Sequence, residues 1–125
     1  MQRRTLLNTA AGLSVLAALL VAGEASAHAS LVKSDPAANA TVAAPKTITL
    51  TFNEALAPAF SGFELTMPAM KGVAVKVKAV VAKDHKSIVG TPQAPLSPGA
   101  YSIAWHAAAA DDGHKTNGKV DFTVK

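Results

Sequence analysis

The sequence predicts an all-β fold, a seven-stranded antiparallel β-sandwich or Greek-key barrel, and three observations point to it. Apolar and polar residues alternate with period two in several short runs. Turn signals separate those runs at regular intervals. No stretch of useful length after residue 28 carries a helical period. The clearest run is 47–52, where Ile48, Leu50 and Phe52 share one face and threonines take the other. Residues 73–81 set Val73, Val75 and Val77 against Lys76 and Lys78. Tyr101, Ile103 and Trp105 share a face, and Val120, Phe122 and Val124 stand opposite Lys119, Asp121 and Lys125. Shorter candidate strands are 30–33, 62–67 and 86–90. The turn signals are Asp35-Pro36, Ala44-Pro45, Ala57-Pro58, Lys71-Gly72, Ser97-Pro98-Gly99 and Asn117-Gly118. The four alanines 107–110 run into Asp111-Asp112-Gly113 and read as a loop. Seven short strands without intervening helices favour a sandwich or barrel.

The first 27 residues stand apart from this pattern. Residues 1–4 are short and basic, residues 9–23 are apolar, and Ala25-Ser26-Ala27 has the small-x-small form accepted by signal peptidase. The apolar run falls short of the roughly 20 residues that a membrane helix needs. The expectation is a cleaved signal peptide over 1–27 and one domain over 28–125, exported to the periplasm. Arg3-Arg4 followed by Thr5-Leu6-Leu7 resembles a twin-arginine signal, and such pairs also occur in Sec signals, so both routes stay open.

Residues 28–125 hold 98 residues, enough for a single core. Their ten lysines and seven acids leave a net charge of +3. The lysines are scattered singly and read as solubilising charge, and arginine is absent, which argues against a nucleic-acid partner. Cysteine is absent throughout, so a metal site must draw on imidazole, carboxylate, thioether and backbone nitrogen.

Four histidines occur, at 28, 85, 106 and 114. Cleavage after Ala27 would make His28 the first residue. A terminal histidine offers an α-amine and ring Nδ1, which close on one metal as a six-membered chelate. With reference values near 8 and 6.5, both nitrogens can lose their protons to a metal near neutrality. Before cleavage that backbone nitrogen is an amide and no amine donor. Asp112 and His114 lie two apart, so an extended chain points both to one side. Added to His28 they give three nitrogens and one oxygen, a set that suits Cu(II). The plainer reading of Asp112-Gly113-His114 is a polar turn with an Asx bond and a solvated ring.

These residues carry a resemblance. His28-Ala29-Ser30-Leu31, Ser34-Asp35-Pro36-Ala37, Leu50-Thr51-Phe52-Asn53-Glu54-Ala55-Leu56, the segment from Pro95 to Tyr101, Trp105 and Asp112-Gly113-His114 resemble the CopC family of periplasmic copper-binding proteins. The resemblance spans nearly all of 28–125. It implies a cupredoxin-like or immunoglobulin-like β-barrel that binds one Cu(II) through His28, Asp112 and His114. Glu54, at the family's F-x-E position, would stand beside the ion or reach it weakly; a surface carboxylate at a strand end is the plainer reading. A carrier or sequestering role in copper resistance and homeostasis follows, without catalysis, together with a CopD-type inner-membrane copper transporter as partner and a monomeric state.

Some family members also hold Cu(I) in a methionine-rich loop. Here only Met67 and Met70 stand in that loop, two soft donors where a tight site wants more, with His85 some way on in a polar turn. Met67 in the core and Met70 at a loop tip is the plainer account. His106 faces away from Trp105, which reads as core. Two other classes compete with the carrier. One is a small copper enzyme with an N-terminal histidine brace; the other is a metal-free immunoglobulin-like accessory module.

Overall fold

Two β-sheets packed face to face form the computed structural model, which describes residues 28–125; the expected signal peptide over 1–27 lies outside the described residues. The strands are β1 (Leu31–Asp35), β2 (Thr41–Val42), β3 (Ile48–Phe52), β4 (Gly62–Met67), β5 (Val73–Val75), β6 (Val77–Val81), β7 (Ser87–Pro92), β8 (Gly99–Ala108) and β9 (Lys115–Val124). One sheet has the order β1-β3-β7-β6 and the other β2-β9-β8-β4-β5. The all-β class stands. Among the described residues the strand count is nine rather than seven, because β2 carried no readable alternation and the run 73–81 divides at Lys76. At that division the chain leaves one sheet and joins the other, so alternation alone could not show the break.

Nor is the sandwich antiparallel throughout: β2 runs parallel to β9, Thr41 beside Thr123 and Val42 beside Val124. Asn39 N–H donates to the Asp121 carbonyl and Thr123 N–H to that of Ala40. The chain thus reaches β9 after crossing between the sheets, which leaves its direction unconstrained by a hairpin.

Alternation is realised in the core. Ile48, Leu50, Phe52 and Ile88 of one sheet meet Phe63, Leu65, Tyr101, Ile103, Trp105, Val120, Phe122 and Val124 of the other. Each fully buried aliphatic or aromatic side chain contributes about 1.5–3 kcal/mol. Phe52 meets Trp105 edge to face at 5.1 Å, and Tyr101 stacks on Phe122 at 5.4 Å. The Tyr101 hydroxyl escapes an unpaired burial by donating to the Ser97 carbonyl at 2.7 Å.

Two sequence-level turn assignments shift. Asn117-Gly118 lies inside β9, opposite His106 and Trp105. Gly118 is there because the Trp105 indole lies on its backbone; a Cβ would stand 2.5 Å from Trp105 Cζ2. The alanines 107 and 108 extend β8, and only from Ala110 does the chain turn. Lys71 and Gly72, both with positive φ, make the β4–β5 turn as expected.

Candidate metal centre

The β8–β9 hairpin supplies His114. Ala108 faces Lys115 at the last pair of the ladder, and the turn is closed by Ala109 N–H to the His114 carbonyl (3.0 Å) and Gly113 N–H to the Ala109 carbonyl (2.9 Å). Gly113, with φ +71°, takes the left-handed position that the turn requires. Position 114 has the parity of Thr116, Gly118 and Val120. Its side chain therefore leaves the inner side of the sheet just past the end of the core, where it is exposed.

His28 comes from the opposite sheet. It precedes β1, and two interactions hold the segment that carries it. Asn53 closes a reciprocal pair with Ser30: Ser30 N–H donates to Asn53 Oδ1 at 2.7 Å, and Asn53 N–H donates to the Ser30 carbonyl at 3.1 Å. Thr116 Oγ1 then donates to the Ala29 carbonyl at 2.8 Å, tying the segment to β9 across the gap between sheets. Ala29 is buried, and its small side chain lets the chain pass over the core's end. The result is that the rings of His28 and His114 stand 4.0 Å apart between centroids, tilted by 50°.

The third expected ligand is placed differently. Asp112 Oδ1 accepts the His114 N–H at 2.9 Å, and Asp111 Oδ1 accepts the Asp112 N–H at 2.7 Å. Among the described residues no three His, Cys, Asp or Glu side chains form a ready-made metal cluster. The fold thus brings two imidazoles together and leaves the carboxylate in its own turn, two residues before His114. A carboxylate has a second oxygen and further lone pairs, so this bond steers the group without using it up. Glu54, partly buried, lines a shallow depression with Ala55, Lys86, Ala110 and Asp111 next to the turn.

Comparison with known proteins bears on this arrangement. The family model described as the CopC domain matches residues 31–125. The chain belongs to the CopC family. It is 44% identical over 116 residues to copper resistance protein C of Xanthomonas campestris pv. juglandis, covering 89% of this chain and 91% of that one. It is 41% identical over 126 residues to copper resistance protein C of Pseudomonas syringae pv. tomato, covering 96% and 99%. Among solved structures it is similar to PcoC, a methionine-rich copper resistance protein from Escherichia coli. That match has a TM-score of 0.72 and 40% identity, over 79% of this chain and all of that one. CopC from Methylosinus trichosporium OB3b matches with a TM-score of 0.70 and 30% identity, over 78% and 94%.

Within this CopC-family chain the methionines lie at the other end of the sandwich. Met67 and Met70 flank a single 3-10 turn at the β4–β5 connection. Met67 lines a depression with Val75, Leu96 and Tyr101, whereas Met70 is exposed, so the two thioethers are differently placed. His85 is not near them. It lies in the β6–β7 turn, and its carbonyl accepts the Leu56 N–H at 2.6 Å, Leu56 bridging in turn to Ala109. That puts His85 at the His28–His114 end. His106 is exposed, as alternation required, and packs over Gly62 near Phe60 and Lys115.

Sequence reading missed Thr116 and Asn53, the residues that position His28. Asn53 lies inside the Phe52-Asn53-Glu54 segment and Thr116 two residues after His114. The parity of β9 was the only available signal, since it puts Thr116 on the inner side with no apolar role to fill.

Proposed function

We propose that this protein is an exported copper-resistance protein that carries or sequesters one Cu(II) ion in the periplasm. Removal of residues 1–27 gives His28 a free amine. That amine, the His28 ring, the His114 ring and a carboxylate oxygen of Asp112 hold the ion. The observation that carries the reading is the 4.0 Å approach of the His28 and His114 rings, from opposite sheets, at an exposed end of the sandwich. Two imidazoles so close can meet one ion after small side-chain rotations. A borderline nitrogen–oxygen set without thiolate fits Cu(II).

Two further points support it. The printed names of the relatives concern copper resistance. The CopC family model covers residues 31–125 and leaves the basic and apolar segment 1–27 outside it. Copper is cargo in this reading, bound and released without reaction, and a CopD-type membrane transporter is the receiver that the resemblance implies.

The test compares protein that begins at His28 with protein carrying one additional N-terminal glycine. Trp105 reports on binding: it pairs with Gly118, four residues along β9 from His114 or about 13 Å, within quenching range of Cu(II). The extended form is expected to lose Cu(II) affinity by orders of magnitude and to show fewer nitrogen couplings in its EPR spectrum. Equal affinity would remove the amine from the site. Affinity should also fall below about pH 6, where protons compete for imidazole and amine.

A further inference from the structure

The lysines of residues 28–125, read singly along the sequence as solubilising charge, are unevenly spread. Five of the ten in residues 28–125, at positions 71, 76, 78, 83 and 86, fall between residues 71 and 86, and Asp84 is the single acid there. That segment carries +4, while the remaining residues of 28–125 carry five lysines and six acids. The +4 already includes Asp84. Its carboxylate accepts the backbone N–H groups of Lys86 and Ser87 and the Ser87 hydroxyl, within its own turn.

The segment forms one side of the molecule. β5 is the edge of the five-stranded sheet and β6 the edge of the four-stranded sheet. With only Lys76 between them, both edges lie on the same flank. Residues 73–81 run along it for about 30 Å. Val75, Val77, Ala79 and Val81 turn inward against the core, leaving Lys78 and Val80 on the outer face. Met70, Val73 and Val80 are each more than half exposed.

Lysines within exposed edge strands commonly guard against sheet-to-sheet aggregation. That role covers Lys76 and Lys78 only. Lys71, Lys83 and Lys86 lie in turns, where no strand edge needs guarding, and exposed valines and methionine work against solubility. We propose that this flank, from the Met70–Val73 turn to Lys86, docks on an anionic phospholipid bilayer. Interleaved lysine and apolar side chains suit such a surface, since lysines gain from the diffuse negative potential while short apolar groups reach the headgroup boundary. Charges spread along about 30 Å of edge suit a flat field of charge better than the shaped acidic pocket of a protein. β8 and β4 stand between β9 and β5, so the β8–β9 hairpin that carries His114 is not part of this edge, while Lys86 at the end of the flank lies beside Asp111.

The test uses protein beginning at His28, which contains both sheets and the whole core and lacks the apolar 9–23 stretch. It is sedimented with phosphatidylglycerol–phosphatidylcholine vesicles and with pure phosphatidylcholine vesicles. Binding is expected only to the anionic vesicles and is expected to vanish in 0.5 M salt, as surface charge attraction is screened (about 0.5 M leaves a screening length of only a few ångströms). The triple variant K71E/K76E/K78E should bind at least tenfold more weakly. The control K33E/K46E/K119E, with the same change in net charge, should stay within threefold of the parent. V73S/V80S should weaken vesicle binding severalfold. Absence of binding to anionic vesicles at low salt overturns the proposal, as does equal weakening by the two triple variants. Binding to polyglutamate that matches the vesicles and ignores V73S/V80S overturns it in favour of an acidic protein. The parent's lipid and salt dependence decides the matter even where a variant fails to fold.

Discussion

The two ends of the sandwich are built differently. At the His28 end, segments from both sheets converge: Thr116 to Ala29 and Leu56 to Ala109 cross between the sheets, while Asn53 to Ser30 and Leu56 to His85 tie segments of one sheet. At the Met67 end a single hairpin turn projects, with Met70 and Val73 exposed. Convergence fixes side chains that are remote in sequence, and fixed donors bind an ion without first losing conformational freedom. A lone hairpin offers no such constraint to its two thioethers. The difference teaches that the proposed Cu(II) site depends on inter-sheet ties, which are absent from the ligand residues themselves.

The largest break in that comparison should come from the rings. H114A is expected to lower Cu(II) affinity by two orders of magnitude or more, about 2.7 kcal/mol, whereas M67L and M70L should leave it unchanged; titration followed by Trp105 quenching measures both. An affinity loss at the methionine end equal to that of H114A would dissolve the distinction.

Next in size is Gly118, beneath the Trp105 indole. G118A must displace the ring or the strand and should cost about 1–3 kcal/mol by urea unfolding. A neutral outcome would mean that the end near the histidines is less tightly packed than its geometry indicates.

T116V tests the tie directly. The fold should survive with a loss of about 1 kcal/mol, since the hydrogen bond to Ala29 disappears. Cu(II) affinity should fall severalfold, as His28 is freed. Unchanged affinity would show that the ring pair forms without the tether.

The smallest effect concerns the β6–β7 turn. The Lys86 backbone N–H, supported by Ser87, holds the Asp84 carboxyl below its ordinary value, against a smaller opposing effect of desolvation. The folded state therefore keeps Asp84 ionised to lower pH than the unfolded chain does. Its contribution is complete above the usual carboxylate range and disappears as pH falls through the lowered folded value. D84N should lower the urea midpoint slightly at pH values above the usual carboxylate range, and the two proteins should draw together as pH falls through the lowered folded value. A constant difference across that range would place the effect in packing rather than charge.

Much of the fold was legible because alternation is a local property. Ile48-Thr49-Leu50-Thr51-Phe52 can bury one face only as a strand, and it does. β2 was not legible, since two residues hold no period and its pairing with β9 is set by where the chain crosses. Asn117-Gly118 was misread because a glycine serves equally for a turn or for an indole lying on the backbone, and only the partner strand distinguishes them. The lysines of 71–86 read as dispersed because each stands singly among other residues, although they share one stretch of sequence that the fold lays along one edge.

By itself the sequence determined the class of fold, the residue types able to meet a soft or borderline metal, and the expectation of a histidine at a processed terminus. Period-two burial and donor chemistry reside in residues and their nearest neighbours. The tertiary structure decided that His28 meets His114, that Asp112 turns first to its own backbone, and that His85 and the methionines lie at opposite ends. Those are distances between remote segments, and they follow from two sheets closing over one core.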